Sequence, residues 1–406
     1  MIKNNYSLFK SDKLKICFVQ TRGKEGNHGR KDRDSSASCV SFGASIIQKD
    51  LEYQFDFAPL QNIKEYDFAL ISITSVVEIE RIIKDGSGTD TDKGDCVVIA
   101  GGMGCLNIYP LIDLLDVAVF GRAEGQINGI IAGENYTNVW RKNKDPFFEK
   151  GYEIRQAKKL LPGEAGIGCP NKCHYCQYTR IRKHFKNKET GYRAADLTNN
   201  IYEDDWKRIN FRQGRNQTAW DGLTQKTRFK AGKYLKDSHI INKLTELRMR
   251  NYEKTTNIKI YQIVGYPWET PKTIERDLRN IRELLFKADG NTGGRIFIMM
   301  TFTPFSPEPF TVFENRNVQF NDWRELLLNY SAGHNRLRQL YNGNKIEAMI
   351  LPQIPGVYTL KKRIALNRAT LNNRRSVADF VKAENNKMDF EYKERLWLKD
   401  ECLQRR

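Results

Sequence analysis

The stretch Gly168-Cys169-Pro170-Asn171-Lys172-Cys173-His174-Tyr175-Cys176 contains three of the chain's eight cysteines, at the spacing C-x3-C-x2-C. Three thiolates this close in sequence can bind three irons of an iron–sulfur cube and leave the fourth iron without a protein ligand. Catalysis needs an open metal position of this kind, whereas a structural metal site is closed by a full set of protein ligands. The spacing therefore predicts an open iron–sulfur site whose ligands are Cys169, Cys173 and Cys176.

The same cysteines could instead bind zinc. A zinc site would need a fourth ligand, for which His184 is the nearest candidate, and such sites normally use paired C-x2-C spacings. A disulfide framework is disfavoured, because the spacing is short and the sequence shows no secretory context.

A second informative segment covers residues 258–270 (IKIYQIVGYPWET). Its apolar residues Ile258, Ile260 and Val264 alternate with other positions and predict a buried strand, which Gly265 ends. Thr270 is a candidate N-cap for a helix that follows directly. The segment thus predicts a strand, a turn and a helix.

The cysteine stretch, with its aromatic Tyr175, resembles the motif of the radical S-adenosylmethionine (SAM) enzymes. Residues 258–270 resemble the IVG-x-P-x-E-T element of the subgroup that contains methylthiotransferases, Elongator-type enzymes and cobalamin-dependent methylases. Residues 296–310 (IFIMMTFTPFSPEPF) resemble the next barrel strand and its proline-rich exit. The resemblance implies a partial (β/α)6 TIM-type barrel over residues 150–315.

The resemblance also implies cofactors and chemistry. A 4Fe-4S cluster would bind the amino and carboxylate groups of SAM at its open iron. After one-electron reduction, by a donor such as flavodoxin or ferredoxin, SAM would be cleaved to a 5′-deoxyadenosyl radical. The implied SAM contacts are Tyr175, Val264 and Gly265, with Asp221 and Arg228 from a segment that resembles the fourth-strand region.

The barrel region departs from the family pattern at one place. Only 41 residues separate Cys176 from Thr218, whereas family members usually fit two or three strand–helix units there. Since one such unit takes roughly 30 residues, one unit is predicted to be shortened or lost. The glycine-rich segment that holds the SAM amino group in the family is not recognisable.

Residues 1–145 predict a separate, doubly wound parallel α/β domain. Apolar runs at residues 13–20, 66–73, 96–100 and 116–120 have the length of strands covered on both faces. The unit resembles the cobalamin-binding domain that precedes the barrel in many radical SAM enzymes. The implied cobalamin contacts are Gly101, Gly102, Gly121 and Glu124.

Two departures leave alternatives open for this domain. Arg122 replaces the first acid of the family's GEGE turn, and no D-x-H-x-x-G motif supplies a lower histidine ligand to cobalt. One alternative is a scaffold that covers the barrel mouth without binding cobalamin. The other is a methylthiotransferase-type domain with a second cluster, for which the available cysteines are Cys17, Cys39, Cys96 and Cys105.

Charge is unevenly distributed along the chain. Residues 1–150 contain 19 basic and 21 acidic side chains, whereas residues 151–406 contain 48 basic and 28 acidic ones. A basic catalytic half is typical of a polyanionic partner, and phosphate contacts supply much of nucleic-acid affinity. The sequence therefore predicts a nucleic-acid substrate, with contacts from Arg180, Arg182 and Lys183, although a solvated basic face is equally compatible with the count.

Residues 316–406 are predicted to form a C-terminal extension that recognises substrate or contacts another subunit. No apolar run reaches the roughly 18 residues of a membrane span, and no signal-peptide core is present. The expected compartment is therefore the cytoplasm.

Three functions remain open from the sequence. The first is cobalamin-dependent methylation of an unactivated carbon by a radical SAM enzyme. The second is cobalamin-independent radical modification of a nucleic-acid base, by methylthiolation or rearrangement. The third is a zinc-stabilised nucleic-acid-binding protein without catalysis.

Overall fold

A computed structural model gives the structure of this chain. The residues that it describes are 14–19, 47–73, 76–84, 91–145, 152–156, 166–167, 171–177, 185–186, 216–250, 255–289, 293–332, 346–352, 357–370 and 372–382. The chain divides into two units: the first combines Met1–Ala157 with Lys361–Arg406, and the second is Lys158–Leu360. None of the described helices is long and apolar enough to cross a membrane.

The first unit contains a six-stranded sheet in the order β2-β1-β3-β4-β5-β6. The first five strands of that order run parallel, and β6 is antiparallel to β5. Because the order reverses at β1, the connections pass on both faces, which confirms the predicted doubly wound α/β fold. The strands are β1 (Ile16–Val19), β2 (Phe55–Ala58), β3 (Phe68–Ser72), β4 (Val97–Gly101), β5 (Val117–Val119) and β6 (Val139–Arg141).

Burial explains why these segments form strands. All four residues of β1 and all three of β5 are buried, as expected for a parallel sheet that is covered on both faces. Helices and 3-10 turns provide the connections. They are α1 (Val76–Ile82), α2 (Ile127–Ile131) and the 3-10 helices Leu60–Glu65, Met103–Asn107 and Tyr109–Leu111.

The second unit contains a four-stranded parallel sheet in the order β12-β11-β10-β9. Neighbours in this sheet are also neighbours along the chain, with helices between them, which is how a (β/α) barrel winds. The described part of the chain thus shows four strands of the predicted barrel. They are β9 (Asn216–Ala219), β10 (Thr255–Val264), β11 (Arg295–Pro304) and β12 (Ile346–Pro352), with helices α3 (Gln225–Lys230), α4 (Asp237–Arg250), α5 (Pro271–Ala288) and α6 (Trp323–Ala332).

Two short strands precede this sheet. They are β7 (Gly166–Ile167) and β8 (Phe185–Lys186), which pair antiparallel with each other. They flank the cysteine stretch in sequence and do not extend the four-stranded sheet.

Alternate side chains of β10 are buried, and the buried face of the strand packs on the helices. Ile258, Ile260 and Val264 belong to one core with the apolar face of α5. The helix begins as predicted, with Pro271 in its first turn and with Thr270 accepting a hydrogen bond from Thr273 N. Strand, turn and helix in residues 258–288 therefore follow directly from local sequence signals.

The predicted C-terminal extension divides between the two units. Helix α6 and strand β12 belong to the second unit, whereas residues from Lys361 onward belong to the first. Helix α7 (Val357–Asn367) spans the boundary, and α8 (Arg374–Lys382) follows it. The boundary predicted after residue 315 thus differs from the structural one, because residues 316–360 complete the second unit's sheet.

The C-terminal residues are tied to the first unit by polar contacts. Asn107 Nδ2 donates to Leu366 O at 2.9 Å and caps the end of α7. Arg363 pairs with Glu80 at 3.0 Å, and Arg374 pairs with Asp113 at 3.2 Å. On α8, the apolar side chains that point inward are Val377, Ala378, Phe380 and Val381.

We expect Phe380→Ala to destabilise the first unit. The ring is fully buried, so its removal leaves a cavity that costs about 3–5 kcal/mol. Urea unfolding measures the loss. The control is Asp379→Ala on the exposed face of α8, which should change the free energy of unfolding by no more than about 0.5 kcal/mol. Equal losses of unfolding free energy in both variants would contradict the assignment of α8 to the first unit.

Candidate functional site

Two of the three predicted cluster ligands lie in one tight turn. Cys176 N donates to Cys173 O at 3.3 Å, which closes the turn. The Cys173 side chain is buried and Cys176 is half-buried. Cys169 lies outside the described residues. Within those residues no three His, Cys, Asp or Glu side chains come together as a metal site.

Backbone hydrogen bonds hold this cysteine turn at the carboxyl edge of the second unit's sheet. His174 N donates to Ala231 O at 2.8 Å, in the connection that follows β9 and α3. Phe313 N donates to His174 O at 3.1 Å, in the connection that follows β11. Gln177 N donates to the Glu308 carboxylate at 2.8 Å. The turn is therefore bound to the connections that follow β9 and β11, the two strands on either side of β10.

Close approach between the cysteine turn and the end of α3 requires a glycine. Gly232 has a positive φ of +79°. A Cβ added there would lie 2.7 Å from the His174 ring and 2.9 Å from Lys172 O. Sequence reasoning missed Gly232, because a lone glycine after a helix is also an ordinary helix end.

Aromatic rings surround the cysteine turn. The Tyr175 ring contacts Tyr266 at a centroid distance of 6.0 Å, and Tyr266 stacks on Trp268 at 4.8 Å. Phe305 and Phe313 complete the cluster, and the latter also contacts the His174 ring at 5.4 Å. These rings replace water on one side of the turn.

A polar network links the same turn to the end of β9. Asp221 follows β9 with a positive φ of +57°, which Asp tolerates better than most residues. Its carbonyl accepts the Tyr266 hydroxyl at 2.8 Å. Its carboxylate pairs with the Lys233 ammonium. Burial and the Asp221 carboxylate hold the pKa of Tyr175 well above its ordinary value, so the hydroxyl stays protonated as a donor.

Arg228 has a different place from the one predicted. Its side chain is fully buried, so a direct contact with a cofactor would require its neighbours to move. The guanidinium donates to Leu235 O at 2.9 Å and to Gly222 O at 3.1 Å, and it pairs with Asp237. Arg228 therefore supports the turn after β9, and its contact with SAM stays a prediction.

The end of β10 is shaped by a buried glutamate. Gly265 has a φ of +82°, and a Cβ there would lie 2.6 Å from the Trp323 indole nitrogen. Glu269 Oε2 accepts hydrogen bonds from Gly265 N at 2.8 Å and Tyr266 N at 3.1 Å. Val264 points its side chain into the core against α5, and its carbonyl accepts from Phe305 N at 2.7 Å. The structure thus gives Gly265 and Val264 packing roles, and their contact with SAM stays a prediction.

Glu269 carries an unusual protonation state. Burial raises the pKa of its carboxyl to about 8, although the two backbone donors lower it. In the described part of the chain its Oε1 has no hydrogen-bond partner. A neutral carboxyl fits these surroundings, because a buried charge without a partner is costly.

Three glycines at the carboxyl edge of the first unit's sheet differ in how much space surrounds them. A Cβ at Gly101 would meet nothing within 4 Å. At Gly102 and Gly121 an added Cβ would lie 2.3 Å from the carbonyl oxygens of Ile73 and Arg155, respectively. Glu124 pairs with Arg122 at 2.7 Å. The predicted cobalamin contacts therefore include one position, Gly101, that faces free space.

The described cysteines of the first unit are core residues. Burial raises the pKa of Cys17 and Cys96 to about 12 and raises that of Cys105 as well. A metal ligand has to be a thiolate, which such burial disfavours. Cys39 lies outside the described residues, as do the predicted substrate contacts Arg180, Arg182 and Lys183.

Comparison with known proteins shows a distant likeness to solved structures. No protein-family model matches the chain, and no curated protein matches it. Among solved structures, the chain is similar to TsrM, a radical S-adenosylmethionine methyltransferase from Kitasatospora setae with cobalamin and a [4Fe-4S] cluster bound. The identity is 12%, the TM-score is 0.45, and the match covers 74% of this chain and 76% of TsrM. At this level the likeness assigns neither a family nor a function.

We expect the stability of the protein to depend on pH through Glu269. The folded state keeps a proton up to about pH 8 that the unfolded carboxyl loses near 4.5. The contribution of Glu269 is therefore fully present below about pH 4.5 and is lost as the pH rises through 8. Glu269→Gln, which stays neutral, should remove roughly 3–5 kcal/mol of this pH dependence in urea unfolding. An unchanged pH dependence in the variant would contradict the neutral carboxyl.

Proposed function

We propose that this chain is a radical SAM enzyme that binds a 4Fe-4S cluster through Cys169, Cys173 and Cys176. One observation carries the proposal: the turn with Cys173 and Cys176 is held at the carboxyl edge of a parallel sheet that winds like a (β/α) barrel. In such folds active sites lie at that edge, built from the loops that follow the strands. The cysteine motif is thus located where this architecture supports catalysis.

The donor set fits the proposed cluster. Thiolates are soft ligands that suit iron–sulfur clusters. Cys173 and Cys176 belong to one closed turn, so their side chains leave the backbone within a short distance of each other. With Cys169 as the third ligand, one iron would remain open for the amino and carboxylate groups of SAM.

Bound cluster and SAM would supply the one-electron chemistry that generates a 5′-deoxyadenosyl radical. The residues of this chain would exclude water from the site and provide polar contacts there. The rings of Tyr266, Trp268 and Phe305 exclude water beside the cysteine turn. Asp221 lies at the end of β9, where the sequence predicts a SAM contact, and its charge is compensated by Lys233.

For the reaction we propose methyl transfer to an unactivated carbon with cobalamin bound in the first unit. The support is the sheet order of that unit, since doubly wound sheets bind ligands outside the carboxyl ends of their strands. Gly101 ends β4 at that edge and faces free space. The electron for each turnover would come from a reductant such as flavodoxin or ferredoxin in the cytoplasm.

A second candidate is the cobalamin-independent modification of a nucleic-acid base. The basic excess of residues 151–406 favours an anionic substrate. Binding of single-stranded RNA at several salt concentrations tests this candidate. Affinity that falls steeply with salt, in protein that has no bound corrinoid, would favour it over methyl transfer.

We expect Cys173→Ala to abolish cluster binding and SAM cleavage, because the cluster loses one of three protein ligands. Anaerobically purified protein is assayed for iron, sulfide, visible absorption and 5′-deoxyadenosine formed on reduction. Cys105→Ala, which changes a buried cysteine of the first unit, is the matched control and should retain all four signals.

Two outcomes would overturn the proposal. One is a colourless wild-type protein with stoichiometric zinc, which favours the zinc-stabilised binding protein. The other is full SAM cleavage by Cys173→Ala.

We expect Gly101→Val to fold normally and to lose cobalamin binding. The side chain would fill the open space at the end of β4, and a clash worth about 1–3 kcal/mol should weaken binding by roughly tenfold or more. Gly102→Val is the contrasting variant, since Gly102 has a φ of +110° and contacts Ile73 O, so it should lower stability. Equilibrium dialysis with hydroxocobalamin and thermal unfolding measure the two effects. Normal cobalamin binding by a folded Gly101→Val protein would contradict the proposed site.

A further inference from the structure

Lys233 is a buried cation beside the cysteine turn. Its side chain is only 4% exposed, although it lies in the connection between two helices. Burying an ammonium group is costly unless it is paired and hydrogen-bonded. Its Nζ meets this requirement by donating to Ala219 O, at the last residue of β9, and by pairing with the Asp221 carboxylate. The contacts tie α3 and its following turn to the end of β9.

Asp221 links Lys233 to the surroundings of the cysteine turn. Its carboxylate raises the pKa of Tyr175, which lies between Cys173 and Cys176 in sequence, so the charge of Asp221 acts on that hydroxyl. The Tyr175 ring also contacts Tyr266 at a centroid distance of 6.0 Å. Its carbonyl accepts the Tyr266 hydroxyl from the turn after β10 at 2.8 Å. One residue thus connects the ammonium of Lys233, the cysteine turn and the end of the neighbouring strand.

The other buried cation nearby does not share this role. Arg228 pairs with Asp237 and donates to the carbonyls of Gly222 and Leu235. These contacts occupy its guanidinium with groups other than the Asp221 carboxylate. Lys233 is the residue whose charge compensates Asp221.

We propose that Lys233 is a positioning residue for the cysteine turn. It neutralises and orients Asp221, whose carbonyl binds the Tyr266 hydroxyl beside the Tyr175 ring, and so sets the conformation of the Cys173–Cys176 turn. The proposal concerns contacts of the protein without its cluster, and its consequence for catalysis rests on the proposed function. In this proposal Lys233 acts on the turn through Asp221, to which it is paired.

Thiol reactivity of the full-length, cluster-free protein tests the proposal. Iodoacetamide labels Cys176 at a rate that mass spectrometry follows, since a thiol reacts when its turn opens. Lys233→Met leaves Asp221 unpaired and should raise the labelling rate by about tenfold or more. Tyr175→Phe, which removes only the hydroxyl, should raise it in the same direction.

The double variant decides whether Lys233 acts through Tyr175. If the two residues work along one chain of contacts, Lys233→Met with Tyr175→Phe should label no faster than Lys233→Met alone. Multiplicative effects would overturn the proposal, because they would show independent action.

Two control variants separate positioning from charge and from stability. Lys236 is exposed and lies three residues after Lys233 in sequence. Lys236→Met removes its positive charge and should leave the labelling rate within about twofold of the wild-type rate. Leu244→Ala opens a cavity in the core of the second unit. If it accelerates labelling as much as Lys233→Met at equal loss of melting temperature, the effect is general destabilisation and the proposal fails.

A second measurement keeps this inference distinct from the proposed function. In reconstituted protein, Lys233→Met should release iron to a chelator faster than the wild type, and Lys236→Met should not. A wild-type protein that takes up no cluster would refute the proposed function while the labelling rates still decide the role of Lys233. A wild-type cluster with unchanged labelling and iron release in Lys233→Met would refute only the positioning role.

Discussion

The parallel pairing of β9, β10 and β11 is the constraint on which the candidate site depends. Because the strands run in one direction, Ala219, Val264 and Pro304 end at a common edge, and the residues that follow them meet there. Backbone groups that leave a sheet need new partners. The cysteine turn supplies some of them through hydrogen bonds to the loops after β9 and β11. Segments more than a hundred residues apart are thereby joined around one turn.

Buried ionisable groups at this edge are accommodated in two ways. Asp221 and Arg228 each face an opposite charge, from Lys233 and Asp237 respectively. Glu269 instead has its pKa raised to about 8 and is held as a neutral acid that accepts backbone hydrogen bonds. Both solutions avoid an uncompensated charge at these three residues, in surroundings that are largely buried. Such surroundings strengthen every remaining electrostatic interaction.

Local patterns predicted the elements whose signals are local. The alternation in residues 258–264, the cap at Thr270 and the buried runs of the first unit all reappear in the structure. Strand β2 escaped prediction because it lies at the sheet edge, where Asp56 and Phe57 are exposed. Lys233 carried no signal at all, since only the folded chain brings it to Asp221.

The first unit is discontinuous in sequence, and this has a consequence for how the chain folds as it is made. Helix α8 buries Phe380 against residues of the first unit, yet it is synthesised after the whole of Lys158–Leu360. At about 5–20 residues per second, that interval lasts roughly 10–40 s. During this time the 3-10 helix Tyr109–Leu111, against which α8 packs, lacks that partner, whereas the second unit can fold as soon as it emerges. The first unit therefore begins to be synthesised before the second unit but completes its fold after it, when α8 packs.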